Sequence, residues 1–210
     1  MNTPPTRYHP LEFEITFCVK GVIFHKAGNL YGTTISGGAN ECGVVFQLTP
    51  SASGWAESPL YAFQCGIDGS PAAGVVFDSS GNLYGATYTG GSGGGGTVFE
   101  LTPSNGSWSF TVLYSFTGNS ACGPESNLTM DQAGNLYGTT VCDGAYGYGS
   151  VFKLKASGGG WTYTSVYDFK GGADGSYPNS GVLFDANGNL YGTASSGGAH
   201  GYGVVFEITP

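Results

Sequence analysis

The chain has 210 residues, of which 39 are glycine, and it carries 6 basic against 14 acidic side chains. A formal charge of −8 argues against nucleic acid as a partner, because the protein would repel a phosphate backbone. No apolar run is long enough to span a bilayer, so we expect no membrane span. The many Gly, Tyr, Phe, Val and Thr residues, without helical periodicity, favour an all-β fold.

The N-terminal residues, MNTPPTRYHPLEF, lack the apolar segment and cleavage site of a secretory signal. The first predicted strand is LEFEITF (11–17), in which apolar and polar residues alternate. Cys18 and the next two residues then connect this strand to the first of a series of repeats.

From Gly21 onward the sequence repeats itself with a step of 53 or 54 residues. The motif GNLYG begins at residues 28, 81, 134 and 188, and tryptophans recur at 55, 108 and 161. Each complete unit contains four predicted strands, which in the second unit are GVVFD (74–78), NLYGAT (82–87), TVFELTP (97–103) and WSFTVLYSF (108–116). The D-x-x-G-N segment between the first two strands predicts a tight turn, because Asp bonds its own backbone and Gly accepts positive φ. We therefore expect Asp78, Asp131, Asp185 and, in the first unit, His25 to be structural.

Four strands per unit, in four units, predict a four-bladed β-propeller within a single domain, residues 1–210. The units are 21–73, 74–126, 127–180 and 181–210. Because the last unit lacks its fourth strand, we expect the N-terminal strand 11–17 to complete that blade and close the ring, which would also remove exposed sheet edges. An open array, or half of a larger ring completed by a second chain, is the alternative, and we expect a monomer rather than a dimer.

Four motifs occur in order along the chain: GVVFDSSGNLYGATYTGG, GTVFELTP, LYSF and ADGSYP. Together they resemble the GloVer-type (Gloeo/Verruco) tandem repeat of secreted or surface-anchored bacterial proteins. The resemblance covers residues 21–210. It implies a propeller with an NHL-like blade order and an extracellular or cell-surface location. It implies no catalytic residue.

The long loops of each unit, D-G-x-x-P and G-G-x-x-x-x-G, are predicted to share one face of the propeller, where function tends to lie. Four cysteines fall in these loops. Their positions favour two disulfides, Cys42 with Cys65 and Cys122 with Cys142, as in an oxidising compartment. Buried reduced thiols and a metal site are the alternatives, although no zinc-type spacing is present. We expect no metal and no cofactor.

Two sets of polar residues on this face are candidate site residues. The possible catalytic carboxylates are Asp68, Glu125, Asp143 and Asp174. The possible ligand-binding residues are Glu41, Tyr88, Tyr146, Tyr148, Tyr177, His200 and Tyr202. Each set has a structural interpretation as well, since Asp68 and Asp174 belong to repeated D-G turns and glycine-rich loops can pack Tyr over their own backbone.

Three functions fit these observations. The first is a secreted or cell-surface binding module for carbohydrate or a surface partner, since flat aromatic rings beside carboxylates suit polyols. The second is a glycoside hydrolase with a carboxylate pair at the channel mouth. The third is a non-catalytic scaffold in a repeat array.

Overall fold

The computed structural model describes residues 19–52, 54–118 and 122–209, and these form four antiparallel sheets arranged as a four-bladed β-propeller. The fold class expected from the repeats is therefore confirmed. The predicted closing strand 11–17 and Cys18 lie outside the described residues.

Each of the first three blades has four strands in sequential order, and the fourth has three described strands. Blade 1 comprises β1 (Val19–Phe24), β2 (Leu30–Thr34), β3 (Val44–Ser51) and β4 (Gly54–Ala62). Blade 2 comprises β5 (Val76–Phe77), β6 (Leu83–Thr87), β7 (Thr97–Ser104) and β8 (Ser107–Ser115). Blade 3 comprises β9 (Thr129–Met130), β10 (Leu136–Thr140), β11 (Ser150–Ser157) and β12 (Gly160–Asp168). A short 3₁₀ helix (Gly172–Asp174) precedes blade 4, which comprises β13 (Leu183–Phe184), β14 (Leu190–Ala194) and β15 (Val204–Ile208).

The innermost strands of blades 2 to 4 have two residues each and are shorter than the sequence predicts. GVVFD suggests a strand over residues 74–78, but only Val76 and Phe77 pair with β6. The residues just before them line the central channel, where the N–H of Gly74 donates to the side chain of Asn127 in the next blade (2.7 Å). Bonds between blades thus replace part of the sheet ladder at the centre of the ring.

The two glycines of GNLYG serve different purposes. The first glycine has a positive φ in every unit, between 80° and 90°, and a Cβ on it would contact nothing. The second, such as Gly138, has an ordinary backbone but lies directly opposite a phenylalanine, Phe152, of the third strand. A Cβ on Gly138 would lie 2.7 Å from Cζ of that ring, so the motif needs glycine there for space.

In blades 2 to 4 the equivalent phenylalanine, Phe99, Phe152 or Phe206, also packs against the last aromatic residue of the preceding blade. The ring centroids of Phe63 and Phe99 are 5.3 Å apart, and those of Phe116 and Phe152 are 5.2 Å apart. All four rings are essentially excluded from solvent. Among the described residues, the core therefore contains an aromatic layer at each of the three junctions that join blades 1 to 2, 2 to 3 and 3 to 4.

The D-x-x-G-N hairpins are built as the sequence predicts. In blade 3, Oδ1 of Asp131 accepts from the N–H groups of Ala133 and Asn135 (both 2.9 Å), and Oδ2 accepts from Nδ2 of Asn135 (2.7 Å). Asp78 and Asp185 accept the equivalent bonds. In blade 1 the N–H of Ala27 instead donates to Nδ1 of His25 (3.3 Å).

We expect Gly138→Ala to destabilise the fold by about 1–3 kcal/mol, because the added methyl group would lie too close to the ring of Phe152 in a fully packed part of the core. Denaturant unfolding would measure the change. Gly160→Ala is the matched control in the same blade, since a Cβ there meets nothing within 4 Å and its φ is not positive. Equal stability of the two variants would contradict the packing role of Gly138.

The hydrogen bonds that Asp131 accepts predict that the stability of the fold depends on pH. Partial burial raises its pKa, but hydrogen bonds from Asn135, Ala133 and Tyr137 outweigh this and hold the pKa below its ordinary value of 3.8. The ionised carboxylate therefore stabilises the fold above its unfolded-state pKa, and this stabilisation is lost as the pH falls through the lowered folded-state value.

We accordingly expect Asp131→Asn to be less stable than the wild type at neutral pH and to lose less stability on acidification. Thermal unfolding at neutral pH and at about pH 3 would measure both effects. Gln132→Ala, at the exposed neighbouring position, should keep the wild-type dependence on pH. An unchanged acid response in Asp131→Asn would contradict this assignment.

Candidate functional site

Two kinds of loop form one face of the propeller, opposite the D-x-x-G-N hairpins. One kind connects the second strand to the third within a blade, and the other connects consecutive blades. Backbone hydrogen bonds join them, including those from Tyr88 N–H to the Ser70 carbonyl (3.1 Å) and from Tyr177 N–H to the Tyr148 carbonyl (2.9 Å). All the candidate site residues chosen from sequence lie on these loops, which we call the loop face.

Both predicted disulfides are present on the loop face. Cys42 and Cys65 are bonded with a Cα–Cα distance of 5.4 Å, and Cys122 and Cys142 with a distance of 4.5 Å. Each bond fastens a second-to-third-strand loop to a loop between blades. In the described part of the chain, no group of three His, Cys, Asp or Glu side chains is placed to hold a metal ion.

A central cavity of about 610 Å³ lies between the innermost segments of all four blades. Glu125 lines it and is exposed. The cavity also contains a residue that sequence reasoning missed, Asn127, whose Oδ1 accepts from the N–H of Gly74. The signal was visible in the repeat, since the other three units have glycine at the position of Asn127.

Asp68 and Asp174 occupy equivalent positions and have equivalent partners. Asp68 is buried and accepts from the hydroxyl of Tyr61. Asp174 accepts from the hydroxyl of Tyr167 and from the N–H of Lys170, both at 3.0 Å. The backbone bond from Lys170 is the largest cause of the lowered pKa of Asp174. A lowered pKa does not suit a general acid, which needs to hold its proton near neutral pH.

Asp143 is half-buried beside two stacked tyrosines, Tyr114 and Tyr163, whose ring centroids are 4.5 Å apart. Burial, with the nearby Asp143 charge as a smaller cause, raises the pKa of Tyr114. Burial also raises the pKa of Tyr163 to about 12. The four candidate catalytic carboxylates thus lie in four different loops, and two of them have tyrosine hydroxyls as direct partners.

Three exposed tyrosines lie together on the loop face at the junction of blades 3 and 4. The ring centroids of Tyr148 and Tyr177 are 6.4 Å apart, and Nζ of Lys170 lies 5.8 Å from the ring centroid of Tyr146. The three tyrosines are between 39% and 54% exposed. Tyr177 has a φ of 58°, which is uncommon for a non-glycine residue. We call Tyr146, Tyr148, Lys170 and Tyr177 the tyrosine patch.

The remaining candidate ligand residues lie on other loops of the same face. Tyr88 is half-buried, whereas His200 is exposed and Tyr202 is 92% exposed. Glu41 is exposed and has a φ of 59°, at a position where the other three units have glycine. Tyr202 occupies in blade 4 the loop position that Tyr148 occupies in blade 3.

Comparison with known protein families settles the relationship that the repeat motif suggests. A family model described as the Gloeobacter/Verrucomicrobia repeat matches residues 19–210. The chain belongs to the Gloeobacter/Verrucomicrobia repeat family. The resemblance drawn from GNLYG and the strand motifs is therefore confirmed. No curated protein matches the sequence of this family member.

Among solved structures, this repeat protein is similar to an X-ray structure described as a candidate gluconolactonase, with a TM-score of 0.59 and 17% identity. The match covers 95% of this chain but 66% of that one, so the chain spans slightly less than two thirds of its neighbour. A protein of unknown function from Dyadobacter fermentans matches with a TM-score of 0.49 and 14% identity, over 84% of this chain and 62% of that one. At these identities the likeness to the candidate gluconolactonase shows the fold alone.

The described residues of this repeat protein contain no helix that is both long and apolar enough to cross a membrane.

We expect the Cys122→Ser/Cys142→Ser variant to lose about 3 kcal/mol of stability, because the disulfide closes a loop of 20 residues in the unfolded chain. Denaturant unfolding with and without reductant would measure the loss. Cys18→Ser is the control, and reductant should lower its stability by the same amount as it lowers that of the wild type. A double variant that is as stable as the oxidised wild type would contradict a stabilising role for this bond.

Proposed function

We propose that this protein is an extracellular or cell-surface binding module that binds carbohydrate through the tyrosine patch. The supporting observation is the pair of Tyr148 and Tyr177 on adjacent loops of one junction, with Tyr146 two residues before Tyr148 in the same loop and all three side chains partly exposed to solvent.

The chemistry of the patch suits a polyol. Tyrosine combines an apolar ring with a hydroxyl group, so the ring can pack on the C–H face of a sugar while the hydroxyl bonds to its substituents. The edge-to-face arrangement of Tyr148 and Tyr177, with rings at 68°, offers two differently oriented surfaces to one ligand. Lys170 adds a hydrogen-bond donor beside Tyr146.

The patch is also held in place before any ligand binds. Tyr177 N–H donates to the Tyr148 carbonyl, and the carbonyl of Tyr177 accepts from Ser195 N–H (3.2 Å) in the next loop. Asp174 accepts from Lys170 N–H and so orders the turn that carries Lys170. Preorganised side chains lose less conformational freedom on binding, which favours affinity.

The hydrolase hypothesis receives less support. Asp68 and Asp174 have tyrosine and backbone partners that account for them without catalysis. The scaffold hypothesis explains the repeat but not the three exposed rings at one junction. The two disulfides favour the extracellular location, because such bonds persist in oxidising compartments.

A glycan array, run beside hydrolysis of a panel of nitrophenyl glycosides, would test this proposal. We expect binding without turnover. For the glycan bound most strongly, Tyr148→Ala and Tyr177→Ala should each weaken the affinity about tenfold or more, since buried aromatic contacts dominate binding energies.

Tyr202→Ala is the matched control, because Tyr202 occupies the equivalent loop position of blade 4 outside the patch, and it should keep the wild-type affinity. The proposal fails if the array shows no binding, or if Tyr202→Ala abolishes binding while the patch variants retain it. Turnover that is lost in Asp174→Ala would instead support the hydrolase.

A further inference from the structure

Glycine directly follows asparagine at two positions of the chain, Asn105–Gly106 and Asn187–Gly188. Because glycine has no side chain and a flexible backbone, its nitrogen can approach Cγ of the preceding asparagine without steric hindrance. Both asparagines are exposed and lie in turns between strands. The two Asn-Gly pairs therefore have the same intrinsic chemistry, and any difference in their reactivity has to come from the fold.

Asn105 and Gly106 form the two-residue turn between β7 and β8. Their φ values of 46° and 85° are both left-handed, as in a type I′ turn, for which Asn-Gly is a preferred sequence. Ser104 pairs with Ser107 across the turn, and the hydroxyl of Ser107 donates to the Ser104 carbonyl (2.8 Å). Among the described residues, the N–H of Gly106 has no hydrogen-bond partner. The flanking serines thus hold the turn and leave the glycine nitrogen free.

Asn187 and Gly188 lie instead within the D-x-x-G-N hairpin of blade 4. The N–H of Gly188 donates to the carbonyl of Asp185 (3.2 Å), and the N–H of Asn187 donates to Oδ1 of Asp185 (2.8 Å). Burial raises the pKa of Asp185, but hydrogen bonds from Asn189, Asn187 and Gly188 outweigh this and hold the pKa below its ordinary value of 3.8. The nitrogen of Gly188 is therefore bound and lies beside an ionised carboxylate.

The charge of that carboxylate opposes cyclisation as well. The nitrogen attacks as its deprotonated, anionic form, and a negative charge nearby disfavours the loss of its proton. Around Asn105 the chain is neutral, since no Asp, Glu, Lys, Arg or His occurs between Glu100 and Glu125. The hydrogen bond and the charge thus both slow the reaction at Asn187, and neither acts at Asn105.

We propose that Asn105 is a site of spontaneous deamidation, and that Asp185 protects Asn187 from the same reaction. The nitrogen of Gly106 forms a bond to Cγ of Asn105, the Cγ–Nδ2 bond breaks, and ammonia leaves with the proton of the Gly106 N–H. Water then opens the cyclic imide at either of its two carbonyl groups. The products are aspartate and isoaspartate at residue 105, and no oxidant or cofactor takes part.

The modification changes both the charge and the backbone of the turn. Each product adds one negative charge to a formal charge of −8, so an acidic species should accumulate and separate on anion exchange. Isoaspartate also inserts one carbon into the main chain between Ser104 and Ser107, which are paired in the unmodified turn. We therefore expect the end of the β7–β8 hairpin to open in the isoaspartate form.

Timed incubation of the full chain at mildly alkaline pH, followed by peptide mapping with mass spectrometry, tests this proposal. In the folded protein, deamidation at Asn105 should be at least about tenfold faster than at Asn187, which is the factor that one hydrogen bond to the reacting nitrogen supplies. In denaturant the two residues should react at similar rates, because neither turn is then formed.

Two variants separate the causes. Asn105→Gly gives this turn the Gly-Gly sequence that blade 3 has at Gly158 and Gly159, whose φ values of 60° and 90° match it. It should fold normally and form no acidic species. Asp185→Asn removes the negative charge from the blade 4 hairpin but keeps an oxygen that can accept hydrogen bonds. It should speed deamidation at Asn187 and leave the rate at Asn105 unchanged.

Three results would overturn the proposal. Equal or faster reaction at Asn187 in the folded wild type would show that the hairpin gives no protection. Reaction of both asparagines in denaturant, but of neither in the folded chain, would show that the β7–β8 turn also blocks cyclisation. An acidic species that still accumulates in Asn105→Gly would place the modification at another residue.

Discussion

The structure depends on one repeated contact, in which a phenylalanine ring of the third strand lies directly on a glycine of the second strand. Because the glycine has no side chain, the ring can lie close to the sheet and still reach the aromatic residue that ends the preceding blade, as Phe152 reaches Phe116. The contact joins the interior of one blade to the junction with the next. It explains why glycine and phenylalanine recur in the same register.

With the core set by that contact, the loop face is free to differ between blades. In blade 1 the loop between the second and third strands contributes Cys42 to a disulfide. In blade 3 the equivalent loop contributes Cys142 to a disulfide and also carries the exposed Tyr146 and Tyr148. The proposed binding site therefore arises where one unit departs from the repeat. The hairpins on the opposite face perform the same geometric task in every blade and vary little.

The carboxylates show why residue type alone does not identify a catalytic site. Asp68 and Asp174 have the chemistry of acid–base catalysts, but each has a tyrosine hydroxyl and a backbone N–H as partners. Those partners orient the turns between blades and keep the carboxylate of Asp174 ionised. In both pairs the Asp lies seven residues after a Tyr of the fourth strand and accepts from its hydroxyl, and this spacing is visible in the sequence once the contact is known.

The sequence by itself determined the four-unit architecture and the hairpins. These follow from local turn chemistry and from a repeat whose period places equivalent residues in equivalent sites. Only the tertiary structure decided which exposed tyrosines lie together, because loops from consecutive blades bring Tyr148 and Tyr177 into contact although they are distant in the chain. It likewise revealed Asn127 as a link between blades. Contacts of this kind depend on how the blades are placed around the central axis, which no local pattern of residues encodes.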